Sequence, residues 1–191
     1  MIVDKPGLCI SIYRDVFDPT DFINKLEQNI EENFGEDLSW ESSLVGNGKI
    51  GQHRTSLSCM MTTLLPPYPE SSLSTAFRKQ IYNPFIEVVN DYVAEYQLPN
   101  AAHELISVLK YSGLAEYHAH YDHSPDTRRV FSAVAFLGSP EEGGVLEFPN
   151  LDIKIIPEAG SVVLFPSNFP YVHIAHPVTS GIKYSLVTWF Q

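Results

Sequence analysis

The stretch Val130-Phe131-Ser132-Ala133-Val134-Ala135-Phe136-Leu137 is rich in β-formers and holds neither Gly nor Pro, so it reads as a β-strand. Working outward, the same grammar recurs over residues 105–111 before it and over 145–148, 153–156, 161–165, 171–175 and 183–190 after it. Gly, Pro, Ser or Asn punctuates each run. Upstream of His103 the pattern differs. An opening strand is expected over 8–13. At Asp18-Pro19 the Asp suits a helix N-cap and the Pro its first position. Phe22, Ile23, Leu26, Ile30 and Phe34 then recur at helical spacing until Gly35. Residues 40–45, the turn signal Gly46-Asn47-Gly48 and a β-leaning run over 53–61 read as a hairpin. Pro66-Pro67-Tyr68-Pro69 forms a rigid connector to a second helical region between Leu73 and Tyr96, which Pro84 should kink or split. Helices first and short strands afterwards predict an α+β chain. We expect one domain over 1–191, with helical support mainly in 18–97 and a jelly roll or related barrel mainly in 103–191.

Composition narrows the function classes. A chain of 191 residues with 44% hydrophobic and 12% aromatic content can bury a substantial core. With 12 Lys+Arg against 23 Asp+Glu, the net charge of −11 repels phosphate backbones, which makes nucleic acid a poor partner. No apolar run reaches membrane-spanning length, and the start Met1-Ile2-Val3-Asp4-Lys5-Pro6 lacks the plan of a signal peptide. Cys9 and Cys59 have no CxxC spacing and read as free thiols in a reducing compartment. A cytoplasmic protein without membrane contact is the expectation.

Chemistry concentrates in Tyr117-His118-Ala119-His120-Tyr121-Asp122 and in His173-Ile174-Ala175-His176-Pro177-Val178, followed by Lys183. If His120 and Asp122 share an extended segment, a period of two points both to one face. His173, 51 residues after Asp122, would supply a third ligand, and two His with one carboxylate form the facial triad of non-haem Fe(II) sites. Lys183 lies in an apolar strand, where an unpaired charge is costly. A bound cation and a bound anion would meet both needs. The bland alternative is a surface His–Asp pair, a core histidine and an exposed lysine.

The surrounding residues carry a resemblance. Lys110-Tyr111-Ser112-Gly113, Tyr117-x-x-His120-x-Asp122, Glu142-Gly143-Gly144-x-Leu146-x-Phe148-Pro149, Pro157-x-x-Gly160-Ser161-x-x-x-Phe165-Pro166-Ser167 and His173-x-x-x-Pro177-Val178-x-x-Gly181-x-Lys183-Tyr184-Ser185 occur in that order. Together they resemble the 2-oxoglutarate/Fe(II) oxygenases of prolyl 4-hydroxylase type, over residues of about 103–191. The resemblance implies a double-stranded β-helix with supporting helices. It also implies hydroxylation of an aliphatic C–H, first of a prolyl residue in a peptide and second of a free amino acid or small metabolite.

The roles that follow are equally implied by that likeness. His120, Asp122 and His173 would bind Fe(II), with 2-oxoglutarate and O2 as cosubstrates and ascorbate as a candidate reductant. Lys183 and Tyr111 would hold 2-oxoglutarate, and Tyr117, Arg129 and Trp189 would face the substrate. Arg129 beside Arg128 could equally be exposed, and Tyr111 and Trp189 could be plain core. One departure stands out: many members have Gly-Gly-Glu-Thr where this chain has Gly143-Gly144-Val145-Leu146, so a hydroxyl contact to the cosubstrate is absent. His118, His123 and His176 read as hydrogen-bonding or surface positions, and His53 and His103 are unassigned. The rivals are a non-enzymatic cupin-like metal-binding module and a nucleic-acid demethylase.

Overall fold

The computed structural model describes residues 2–32, 38–45, 49–99 and 102–191. Its strands in chain order are β1 (Ile2–Gly7), β2 (Ile10–Arg14), β3 (Glu41–Ser42), β4 (Leu44–Val45), β5 (Lys49–Ile50), β6 (Leu57–Met60), β7 (Ser107–Tyr111) and β8 (Tyr117–His120). They continue as β9 (Phe131–Gly138), β10 (Glu142–Gly143), β11 (Leu146–Phe148), β12 (Ile153–Ile155), β13 (Val162–Pro166), β14 (His173–Ala175), β15 (Val178–Ser180) and β16 (Lys183–Phe190). A major sheet runs β1-β2-β13-β9-β16-β7-β6-β3, and a minor sheet β12-β11-β14-β8, with every neighbouring pair antiparallel. The ladders β10/β15 and β4/β5 stand apart from both. The two facing sheets with helices behind the larger one are the expected α+β jelly roll.

The central strands of the major sheet are apolar on both faces because each face meets a different layer. Val162 and Leu164 of β13 join the core beneath the helices, while Val163 and Phe165 join the core under the minor sheet. The helical layer consists of α1 (Thr20–Glu32), α2 (Ser72–Ala76) and α3 (Asn83–Glu95), the last two joined by a π-helical turn over Phe77–Tyr82. Asp18 caps α1 as expected, its Oδ1 accepting the Thr20 N–H at 3.0 Å. Phe22 and Leu26 of α1 are fully buried, and the Phe22 ring lies 5.3 Å from that of Phe77. Pro84 does divide the second helical region. The wide turn over Phe77–Tyr82 precedes it, so the missing N–H and the bulky ring fall at the start of α3 and not inside a regular α-helix.

Several expectations change. The strand expected over 8–13 is β2, which starts only at Ile10 because residues 8–9 form a turn in which Leu8 is 79% exposed and Cys9 has φ 55°, and β1 before that turn was not anticipated. An apolar Leu at a turn tip had suggested a continuous strand. The expected hairpin pairs β3 with β6 and β4 with β5, and its turn signal Gly46-Asn47-Gly48 lies outside the described residues, as do Phe34 and Gly35. β8, β10 and β15 were not anticipated. They are two to four residues long and too short to display a period. No helix among the described residues is long and apolar enough to cross a membrane.

Candidate metal and anion site

The site lies between the sheets. On β16 the period of two sends Tyr184, Leu186 and Phe190 to the helix-side core and leaves Lys183, Ser185, Val187 and Trp189 lining a cavity between the sheets. On β9 it does the same with Ser132, Val134 and Phe136. The minor sheet covers this floor, and pairing of β14 with β8 sets His173 directly opposite His120. β8 ends at His120, and Asp122 sits on a bend beyond it, where its N–H and that of His123 both donate to the Ser167 carbonyl at 3.0 and 2.9 Å. The bend therefore replaces the continuous strand that the His-x-Asp spacing suggested, and the two side chains still converge.

His120 Nε2 lies 3.6 Å from Asp122 Oδ1, and His173 Nε2 3.7 Å from Asp122 Oδ2. One ligand atom from each of the three residues falls within 4.8 Å of the others. The far nitrogens are engaged elsewhere: His120 Nδ1 donates to the His118 carbonyl at 2.7 Å, and His173 Nδ1 to the Tyr171 carbonyl at 3.1 Å. These bonds fix the tautomers, so both Nε2 lone pairs point inward beside the carboxylate. Adjacent ligands ~2.1 Å from one ion stand ~3 Å apart, so a small contraction would seat a divalent metal. The residues present fit the ion that the spacing implies.

Electrostatics agree. Burial and the neighbouring His173 imidazole pull His120 far below its ordinary value, which keeps the ring neutral and ready to ligate. Burial would push the Asp122 carboxyl up, but the two imidazoles and the Ser132 hydroxyl outweigh it and hold it below the usual range. Ser132 Oγ donates to Asp122 Oδ2 at 2.6 Å and meets Ser167 Oγ at 2.8 Å. The Tyr117 ring stacks on His120 with 3.6 Å between centres.

At the other end of the cavity Lys183 is 1% exposed, and burial draws its pKa down to about 7. Its Nζ donates to the Gly144 carbonyl at 2.8 Å and lies 4.2 Å from the centre of the Tyr111 ring, its cross-strand partner. No carboxylate of the described residues pairs with it, and a charge held so dry calls for an anion. Gly144 makes the contact possible: at φ +69° a Cβ there would stand 3.2 Å from Lys183 Cδ and 3.1 Å from Val178. Leu146, 4% exposed, lines the same cavity without a hydroxyl to offer.

The rim holds the remaining candidates. Trp189 and Tyr117 line both the cavity and an outer groove, whereas Arg129 lines the groove alone. Arg129 makes a bidentate pair with Glu104 at 2.8 and 2.6 Å, lies 3.8 Å over the Trp189 ring and donates to the Asp122 carbonyl at 3.3 Å. Of the other histidines, His123 bonds the Arg129 carbonyl, His176 pairs with Glu147, His118 lies between His53 and Glu116, and His103 meets Tyr82. Ser132, Glu104 and Arg54 escaped the sequence reading. Only the position of Ser132, ten residues after Asp122 in a strand, offered any signal.

Residues 106–191 match the family model described as the 2OG-Fe(II) oxygenase superfamily. Prolyl 4-hydroxylase 13 of Arabidopsis thaliana is 27% identical over 124 residues, covering 50% of this chain and 45% of that protein. The chain spans about half the length of the curated relatives it matches. Among solved structures, a viral collagen prolyl hydroxylase from Paramecium Bursaria Chlorella virus-1 in complex with 2OG has TM-score 0.68 at 18% identity, with 96% of each chain covered. A prolyl hydroxylase from Trichoplax adhaerens, in complex with a hypoxia inducible factor oxygen degradation domain peptide fragment, has TM-score 0.68 at 15% identity over 95% of this chain and 82% of that one. The family match takes in His120, Asp122, His173, Tyr111 and Lys183 alike, so residues 106–191 are similar to the 2OG-Fe(II) oxygenase superfamily, and the chain has the fold of the solved prolyl hydroxylases.

Proposed function

We propose that this chain is an Fe(II)- and 2-oxoglutarate-dependent dioxygenase that hydroxylates an aliphatic C–H of a prolyl residue in a peptide or protein. The observation that carries the reading is the pairing, inside one cavity, of a carboxylate–bis-imidazole cluster with a dry ammonium at Lys183. His120, Asp122 and His173 would hold the iron, and the metal with 2-oxoglutarate and O2 would supply the oxidising power, releasing succinate and CO2.

The protein's own share is positional. Lys183 offers a charge-assisted hydrogen bond to the distal carboxylate of the cosubstrate, with Tyr111 as its neighbour. Leu109, Val134, Leu146 and Val187 keep water from the space between. Tyr117 and Trp189 frame the mouth where the target C–H must be held, and Arg129, clamped by Glu104, braces Trp189. The open groove beyond the mouth, lined by Leu44, Arg54, Tyr121, Arg129 and Trp189, supports an extended peptide as the substrate. Residues 1–191 are read as one unit, with 18–97 supporting 103–191. The free thiols Cys9 and Cys59 support a cytoplasmic setting.

Anaerobic addition of Fe(II) and 2-oxoglutarate should produce a visible charge-transfer band, and air with proline-containing peptides should then release succinate. His173→Ala should abolish the band. A wild type without the band, or a band indifferent to that substitution, would overturn the reading.

A further inference from the structure

Two spaces meet at the metal centre. The inner cavity runs from Lys183 to the triad and the outer groove leads away, and Arg54, Tyr117, His120, Asp122 and Trp189 line both. Arg54 is the one member of this junction that comes from the N-terminal half, joined to Tyr117 by an isolated β-bridge. Its Nη1 donates to the Leu44 carbonyl at 2.7 Å, and its guanidinium carbon lies 4.9 Å from the centre of the Tyr117 ring, which itself stacks on His120.

The rest of its hydrogen-bonding capacity is unspent. Nε is buried without a partner, and no ion pair to Arg54 exists among the described residues. Glu104 is engaged by Arg129, Glu116 by His118 and Asp122 by Ser132, and Asp126, which lines the same groove, makes no ion pair with Arg54. Its charge also acts on Tyr111, Tyr117 and His120, so its field falls across the cavity. A half-buried guanidinium without a counter-ion is costly, and an arriving oxyanion removes that cost. With a net charge of −11 the protein does not attract anions at long range, so recognition has to be local. Lys183 at the far end is assigned above to the carboxylate of the cosubstrate.

We propose that Arg54 forms a carboxylate subsite for the primary substrate, taking a carboxylate that the substrate bears beside the reacting C–H, as an acidic side chain or a free C-terminus. The inference rests on the dioxygenase reading above and adds a substrate class to it. The planar fork of Arg suits bidentate carboxylate recognition in a way that Lys does not.

The test uses the full chain loaded anaerobically with Fe(II) and 2-oxoglutarate, with peptide binding followed through perturbation of the visible band. Three otherwise matched peptides are compared: proline followed by Glu with an amidated end, proline followed by Gln with an amidated end, and proline as a free-acid terminus. Wild type should bind at least one anionic peptide about tenfold or more tighter than the neutral one, and which one identifies the source of the carboxylate. Arg54→Gln should erase the preference, and Arg54→Lys should keep part of it.

A wild type that forms the band yet discriminates none of the peptides would overturn the subsite, as would a preference that survives in Arg54→Gln. If Arg54→Gln raises the 2-oxoglutarate requirement while the peptide preference stands, the carboxylate belongs to the cosubstrate and the proposal is wrong. Absence of the band in wild type is a different result: it removes the dioxygenase reading, and this inference with it.

Discussion

Ser132 is 1% exposed, and its single hydroxyl links two groups, donating to Asp122 Oδ2 and meeting Ser167 Oγ. A carboxylate so held cannot swing away from the two imidazoles, which is how outer contacts raise the affinity of a metal site. Ser132→Ala should therefore weaken Mn(II) binding by roughly 10- to 100-fold with the fold intact, as read by metal titration beside far-UV circular dichroism. An unchanged affinity would show that the bend at Asp122 alone positions the ligand. Lys183 gives a pH prediction. Its pKa in the ligand-free protein is lowered to about 7, and on the proposed reading 2-oxoglutarate binds the ammonium form. Below that pH the ammonium is already present and affinity should be flat. Above it, binding must take up a proton, so the dissociation constant should rise about tenfold per pH unit. Titrations at pH 6.5, 7.5 and 8.5 check the slope and its sign. The lysine was legible because an ionisable residue stands out in an apolar strand, and the His-x-Asp motif because of the segments that flank it. Arg54 was not, since nothing in its own neighbourhood of sequence announces that Tyr117 will be beside it.

Among the elements, long strands were readable and short ones were not. β9, β13 and β16 begin and end within two residues of expectation, because each is buried on both faces and therefore continuously β-forming. β10 and β15 are ladders of two and three residues whose pairing depends on glycine geometry, not on a hydrophobic pattern. At Gly143, φ +81°, a Cβ would stand 2.3 Å from the Pro177 carbonyl, so the close approach of β10 to β15 excludes any side chain there. At Gly144 the clash falls partly on Lys183 itself. Gly144→Ala should cost about 1–2 kcal/mol in backbone strain, seen in denaturant unfolding, and should also raise the 2-oxoglutarate concentration needed for half-saturation. A stability loss with unaltered cosubstrate binding would sever Gly144 from the anion site. The misread opening strand has the opposite cause, a local apolar signal at Leu8 that no layer covers.

The whole molecule stacks helices, major sheet, cavity and minor sheet, and the helices reach the chemistry only through the sheet between them. Phe77 is fully buried against Phe22 in the helix-side core. Phe77→Ala should lower unfolding stability by about 3–5 kcal/mol, measured by urea titration, while the folded fraction keeps its metal affinity. A selective loss of metal binding would mean that the layers are coupled more tightly than the sheet alone allows. The α+β class was open to inference from the change of grammar at His103, but the convergence of β8, β14 and β16 depends on pairings between residues 46 to 59 positions apart. β16 has a further meaning as a ruler. Lys183 near its start and Trp189 near its end are six residues apart, so one strand of fixed pitch, roughly 20 Å, sets the span from anchor to mouth. The shortest step that keeps an ammonium on the cavity face is two residues, roughly 6.6 Å. If Lys183 anchors a keto acid as proposed, moving that ammonium along β16 would shift the anchoring point in steps of that size.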